Sequence, residues 1–279
     1  WSTTFGGCSK ASRRSSAKPR MISITSAEFN AWIVAYFFPL ARILALLTTA
    51  PPFNNVGLTT RVRLLLGLAI AIAIAPALPP IPTFEPASGL GLLIFAQQII
   101  IGYVMGFVLR LVFSAIDMSG IIISNLMGLG FATSYDPQSS SQTPVISEFF
   151  GMLALLVFLA TNGHLMVIAT LVQSFSALPI GTSGVASGSW LNVANAGAVI
   201  FSSGVFLALP VTVALLITNV ALGILGRVAP QLNLMAIGFP ITIVLGFAAI
   251  TVSLSHLNAP LQQMFEFGLN SMLGYFVIK

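Results

Sequence analysis

The residues of this sequence that could do chemistry are four charged side chains within or at the ends of long apolar runs: Arg42, Arg110, Asp117 and Arg227. A charge at the bilayer centre costs roughly 2.5 to 3.5 kcal/mol, so such residues mark proton relays, ion pathways or contacts with other chains. Arg110 and Asp117 share a helical face, but two turns separate them by about 10 Å. We interpret all four as buried charges or subunit contacts, with Arg42 and Arg227 buried against partner chains.

No enzyme motif is present. The sequence has no Walker A loop, no HExxH, GxSxG or CxxC motif, and no acidic residue within a helical turn of His164 or His256. A single cysteine, Cys8, excludes an intrachain disulfide. We therefore predict no catalytic site, no metal site and no cofactor.

The composition excludes a soluble domain and a disordered chain. Of the 279 residues, 57% are hydrophobic and 6% are charged, against roughly 25% charged residues in soluble domains. The formal net charge of +5 lies entirely in residues 1–20, because residues 21–279 contain six basic and six acidic residues. We therefore predict a chain surrounded by membrane lipid or apolar protein, with no nucleic-acid partner.

The basic segment 1–20 is set apart from the rest. It is rich in Ser, Arg and Lys and lacks the apolar core of a secretory signal, so we interpret it as a disordered or non-native leader. A transit peptide and an upstream-read segment both fit this composition. Residues 21–279, which begin with Met21, are predicted to form one membrane-embedded domain.

The uncharged stretches are long enough for several membrane helices, which need about 20 apolar residues each. Helices are favoured over barrel strands because the runs lack alternation of polar and apolar residues. We predict an all-α polytopic membrane protein with six to seven long helices, over 31–50, 64–78, 92–113, 114–133, 149–175, 199–225 and 234–257. The last 20 residues predict an amphipathic helix, with apolar side chains at Leu261, Phe265, Leu269, Leu273 and Phe276.

Three prolines lie inside these helical runs: Pro39, Pro210 and Pro240. Each removes a backbone hydrogen bond and is expected to kink or break its helix, at about 3 kcal/mol. Lipid cannot bind the freed carbonyls, so these helices are expected to pack against protein. The spacing of Gly102 and Gly106 indicates close approach of another helix. Broken helices with intramembrane charges also leave open a stand-alone secondary transporter.

One segment is unlike the rest. It consists of Met127, Gly128, Leu129, Gly130, Phe131, Ala132, Thr133, Ser134, Tyr135, Asp136, Pro137 and Gln138. Its apolar half passes without a helix cap into a polar half with a turn signal at Asp136-Pro137. Irregular backbone within a membrane is tolerated where it is buried or lines an aqueous cavity. An ordinary loop outside the membrane is the alternative.

From Met21 to about Phe267 the sequence resembles the FliR family of flagellar type III export-gate proteins. The resemblance lies in the order and spacing of short motifs over almost the whole chain: Pro39-Leu40-x-Arg42, Ala50-Pro51, Gln97-Gln98 with Gly102 and Gly106, Met127-Gly128-Leu129-x-Phe131-Ala132 with Asp136-Pro137, Asn162-Gly163-His164, Leu178-Pro179, Ala208-Leu209-Pro210, Arg227-x-x-Pro230-Gln231-Leu232 and Ile237-Gly238-Phe239-Pro240.

The resemblance implies a non-enzymatic subunit of a gate in the bacterial inner membrane, at the flagellar basal body. It implies assembly with FliP and FliQ into a helical channel for unfolded flagellar proteins, joined by FlhB and FlhA. It also implies that the segment from Met127 acts as a plug, with Phe131 as the apolar stopper, Gly128 supplying flexibility and Asp136-Pro137 fixing the turn. The chain departs from the family pattern at Ser134, where a second bulky residue is common, and at Gln138, where glycine is common.

Overall fold

The structure is a computed structural model that describes residues 30, 32–54, 58–79, 84–130, 144–181, 188–229 and 234–274. Over these residues it is helical and contains no strand, which confirms an all-α polytopic membrane protein. The described residues form eight α-helices: α1 (Phe38–Thr49), α2 (Thr60–Ile74), α3 (Gly89–Leu126), α4 (Val145–Ala160), α5 (Gly163–Ala177), α6 (Gly188–Val228), α7 (Leu234–Leu254) and α8 (Asn258–Gly274).

Helix α3 is the centre of the fold and packs against α1, α4, α6 and α8. Its glycines allow this, because a Cβ on Gly102 would overlap the Arg42 carbonyl oxygen of α1. A Cβ on Gly106 would lie 2.8 Å from the Cβ of Thr49. The two glycines thus form one face of α3 on which the backbone of α1 lies directly, which is the close approach that small residues permit in membrane helices.

The prediction gave six or seven helices, according to whether the spans 92–113 and 114–133 form one helix or two. They form one helix as far as Leu126, α3, because no proline or turn sequence interrupts 89–126. The boundaries differ from the prediction at another place. The predicted span 149–175 is two helices, α4 and α5, bent by 68°. The bend occurs at Asn162, which adopts a left-handed conformation with φ of 57° and precedes Gly163.

The three internal prolines do not end helices, contrary to the predicted breaks. A π-helical turn, Ile33–Phe37, precedes Pro39, which lies in the first turn of α1, where a missing N–H is tolerated. Helices α6 and α7 continue through Pro210 and Pro240. On α6, Ala208 and Val211 beside Pro210 are buried, whereas Pro210 itself and Phe206, whose carbonyl loses its donor, are exposed.

In the part of the chain that the structure describes, four helical segments are long and apolar enough to cross a membrane: Thr60–Ala77, Gly89–Leu126, Ala194–Val228 and Ile237–Leu254. The bent pair of α4 and α5 is a fifth if it forms one span. The 38 residues of α3 extend about 57 Å at 1.5 Å per residue, well beyond the roughly 30 Å hydrocarbon core of a bilayer. Part of α3 therefore lies outside that core.

The predicted amphipathic tail helix is confirmed over Asn258–Gly274 as α8, whereas the Leu273 side chain and Phe276 of the same prediction lie outside the described residues. Leu261, Phe265 and Leu269 are buried, whereas Glu266 is exposed. Phe265 packs against the rings of Phe113 on α3 and Phe158 on α4, at centroid distances of 5.4 and 5.1 Å. This aromatic cluster joins α8 to the centre of the fold.

Candidate functional site

The predicted irregular segment begins at the carboxyl end of α3, and its first four residues are described. The Gly128 N–H donates to the Asn125 carbonyl at 3.1 Å, and the Leu129 N–H donates to the Ser124 carbonyl at 3.1 Å. Gly128 has a φ of 82°. This pattern, with a left-handed glycine after the last turn, is the Schellman motif that ends helices and binds their last carbonyls.

The structure corrects one part of the prediction for this segment: the helix does have a cap, and Gly128 forms it. That Gly128 supplies flexibility to a plug stays a prediction. The sequence signal was a glycine directly after a helical run with Leu129, an apolar residue, following it. Phe131, Ala132, Thr133, Ser134, Tyr135, Asp136, Pro137 and Gln138 lie outside the described residues.

Met127 connects this helix end to α7. Its side chain is fully buried, and a Cβ on Gly246 of α7 would lie 2.6 to 2.8 Å from three of its side-chain atoms. Its carbonyl oxygen lies 3.1 Å from the hydroxyl of Thr242, which is also 3.0 Å from the Phe239 carbonyl. Met127 is therefore held by its side chain and by its backbone.

Helix α6 adds a longer contact at the same place. The Asn219 amide nitrogen lies 3.4 Å from the carbonyl oxygen of Leu126, the last residue of α3. The last four carbonyls of a helix have no partner within the helix. Here the Leu126 and Met127 carbonyls face donors from two other helices, so the segment starts from a fixed base.

Arg42 is the most buried of the predicted charged residues, with no exposed surface. Its Nε and Nη2 donate to the side-chain oxygen of Gln98, and its Nη1 donates to the carbonyl and hydroxyl oxygens of Ser174. Nη2 also donates to the Leu178 carbonyl at 2.9 Å. The guanidinium lies over the Phe175 ring, 4.2 Å from its centroid. Arg42 therefore joins α1, α3 and α5.

These contacts correct the expectation that Arg42 is buried against a partner chain. Every acceptor bonded to its guanidinium belongs to its own chain, and each is a neutral oxygen. Gln98 was identifiable as a buried polar residue of an apolar run. Ser174 and Phe175 were missed, because a serine and a phenylalanine in an apolar helix carry no sequence signal that distinguishes them from ordinary packing.

Arg110 and Asp117 line one cleft of about 380 Å³ between α1, α3 and α4. Arg110 is exposed and Asp117 is half-buried. As their two-turn separation predicts, no ion pair joins these two described residues. The other residues of the cleft are Thr49, Pro51, Asn54, Phe113, Ser114, Gly151 and Leu155.

Arg227 lies in the last turn of α6, where its side chain is exposed. A cation in the last turn interacts favourably with the helix dipole. Within this chain Arg227 is therefore not a buried charge, and its predicted contact with a partner remains a prediction. Among the residues that the structure describes, no three His, Cys, Asp or Glu side chains come together as a metal ion would require.

Comparison with known proteins decides the family. Residues 33–268 match the family described as "Bacterial export proteins, family 1". The chain belongs to this family. It is 43% identical over 242 residues to the flagellar biosynthetic protein FliR of Escherichia coli K12, covering 86% of this chain and 91% of that protein.

More distant relatives have the same name. The Caulobacter vibrioides FliR is 31% identical over 234 residues, with 82% of this chain and 91% of the relative covered. The Bacillus subtilis FliR is 25% identical over 241 residues, with 85% and 93% covered. The FliR membership predicted from the motifs is thus confirmed, and the chain is a membrane component of the flagellar export apparatus.

Proposed function

We propose that this chain is a non-enzymatic subunit of the channel through which unfolded flagellar proteins cross the bacterial inner membrane. In this proposal it assembles with FliP and FliQ, and FlhB and FlhA join the assembly at the flagellar basal body. The single observation that carries the proposal is the FliR similarity, which extends over residues 33–268.

The apolar surface of the chain supports assembly with other subunits. Large apolar side chains are exposed along α6, from Leu191 at 66% to Val228 at 77%. At 41 residues, α6 is about 60 Å long, twice the thickness of the hydrocarbon core. Lipid covers at most part of such a face, so the remainder fits contact with protein.

We further propose that residues 127–138 form a plug that closes the channel, with Phe131 as its stopper. Replacing Phe131 with Ala, or deleting residues 129–135, is expected to make the closed channel leak ions. The measurement is ion leak from vesicles that contain the chain assembled with FliP and FliQ. Phe149→Ala is the matched control, since Phe149 is a 41% exposed phenylalanine on α4. Variants as tight as the unmodified assembly would contradict the plug.

Assembly itself is tested by purification. The proposal predicts that a tagged chain isolated from membranes brings FliP and FliQ with it in fixed ratio. A chain that purifies alone as a stable monomer, and binds a small solute, would contradict the proposal and favour a transporter.

A further inference from the structure

The side chain of Met127 packs directly against the backbone of α7 at Gly246. Met127 is the residue directly after α3. Its side chain occupies the space beside Gly246 that the side chain of any larger residue at position 246 would fill. A Cβ at Gly246 would lie 2.6 Å from Cγ, 2.7 Å from Cε and 2.8 Å from the sulfur. Since real Cβ atoms keep more than 3 Å from such atoms, Gly246 is the residue that permits this contact.

The backbone of Met127 is held at the same place. The Schellman motif provides donors for the Ser124 and Asn125 carbonyls, whereas the Met127 carbonyl lies 3.1 Å from the Thr242 hydroxyl. Thr242 is buried, and it lies four residues before Gly246, so both are on one face of α7. That face therefore holds both the carbonyl and the thioether of Met127.

We propose that Thr242 and Gly246 are positioning residues for the channel barrier. With Met127 they form what we call the Met127 anchor, which fixes the start of the proposed plug to α7. The inference rests on the proposed function, because the anchor affects the channel only if the residues after it form the plug. Since Gly128 ends α3 directly after Met127, a fixed Met127 determines where the chain leaves the helix and the direction in which it continues.

A hydroxyl series tests the anchor at Thr242. Thr242→Val keeps the shape of the side chain and removes its donor, whereas Thr242→Ser keeps the donor. Loss of one hydrogen bond multiplies the detached population about fivefold. Because the single Thr242 hydroxyl hydrogen is shared with the Phe239 carbonyl, we expect Thr242→Val to raise ion leak of the closed assembly by up to about fivefold, and Thr242→Ser to stay tight. Thr251→Val is the control, since the exposed Thr251 hydroxyl bonds only within α7.

Two glycine substitutions in α7 test the contact between the Met127 side chain and Gly246. Gly246→Ala is expected to push Met127 away and raise the leak, whereas Gly238→Ala in the same helix meets only a Leu222 methyl group at 3.7 Å. Combining Gly246→Ala with Met127→Ala removes the three side-chain atoms in the way, so the double variant is expected to leak less than Gly246→Ala alone. Such recovery would show that the two positions are coupled through direct contact, and the unfolding midpoints of the same variants show whether the leak follows stability.

The ion leak of each variant is divided by the amount of assembled complex in the vesicles, so that a variant that assembles in lower yield is not mistaken for a tighter one. The anchor is overturned if Thr242→Val and Gly246→Ala assemble and stay tight while deletion of residues 129–135 leaks, an outcome that leaves the plug standing. It is also overturned if Thr242→Ser leaks as much as Thr242→Val. A tight assembly after the deletion itself overturns the plug and the anchor together.

Discussion

The guanidinium of Arg42 lies on the ring of Phe175, 4.2 Å from its centroid, while its N–H groups bind oxygen atoms of Gln98, Ser174 and Leu178. Arginine fits this place because its planar group stacks on a ring and donates from its edge at the same time. One side chain thus fixes the relative positions of α1, α3 and α5.

Replacing Arg42 with Ala is expected to lower the free energy of unfolding by at least about 3 kcal/mol, because several buried acceptors lose their donors at roughly 1–3 kcal/mol each. Arg42→Lys is expected to retain part of the stability, since an ammonium has three donors and no planar face. Thermal unfolding in detergent measures both. Arg61→Ala, at an exposed arginine of α2, is the control. An unchanged midpoint for Arg42→Ala would show that the cluster contributes nothing to stability.

Gly102→Ala is expected to destabilise the chain by about 1–3 kcal/mol, the usual range for overpacking. Its Cβ would overlap the Arg42 carbonyl oxygen, and a backbone atom cannot rotate away. Gly223→Ala is the matched control, because its Cβ would meet nothing within 4 Å on the exposed side of α6. That control is expected to gain up to about 1 kcal/mol from helix propensity. Equal unfolding midpoints for the two variants would contradict the close packing of α1 and α3.

Gly128→Ala is expected to cost about 1–2 kcal/mol, because a left-handed φ of 82° brings a Cβ against the backbone. Gly128→Asn is expected to cost less, since asparagine adopts this conformation more readily. Hydrogen exchange of the amides of Gly128 and Leu129 reports the motif directly. We expect faster exchange in Gly128→Ala than in Gly128→Asn. Equally slow exchange in both variants would mean that the helix end does not depend on the glycine.

Arg227→Ala is expected to lower the yield of the assembly with FliP and FliQ without changing the unfolding midpoint of the isolated chain. Within this chain the side chain is exposed at the end of α6, so its removal leaves no internal acceptor unpaired. Pull-down of partners by a tagged chain measures the yield. Full recovery of the complex would remove Arg227 from the subunit contacts.

The all-helical membrane fold was predictable, because the backbone N–H and C=O groups of long uncharged runs in lipid can bond only to one another, as they do in a helix. Where helices join or bend was less predictable. Nothing in the residues around Phe113 and Ser114 separates one helix from two, since both segments are equally apolar. The bend at Asn162 had a weak signal, the Asn-Gly dipeptide, within a run that hydropathy treats as continuous.

The sequence pointed to residues 127–138 through the glycines and the Asp136-Pro137 turn signal, and the structure describes only the first four of them. Thr242 and Gly246, which contact Met127, lie more than 100 residues further along the chain and were not predicted. Their role depends on how α7 packs against the end of α3, which no local pattern encodes. Of the kink or break expected at Pro210 and Pro240, the break is not found, since both helices continue through the proline.

The length of α6 has a consequence for how cells must make this protein. Apolar side chains are exposed from Leu191 to Val228, and a bilayer covers only about half of that length. A copy synthesised in excess of the subunits that cover the rest would hold that half of its apolar face in water. Such a copy is prone to aggregation and is a substrate for proteases. If the proposed assembly covers this face, the supply of its other subunits limits the amount of this chain that accumulates.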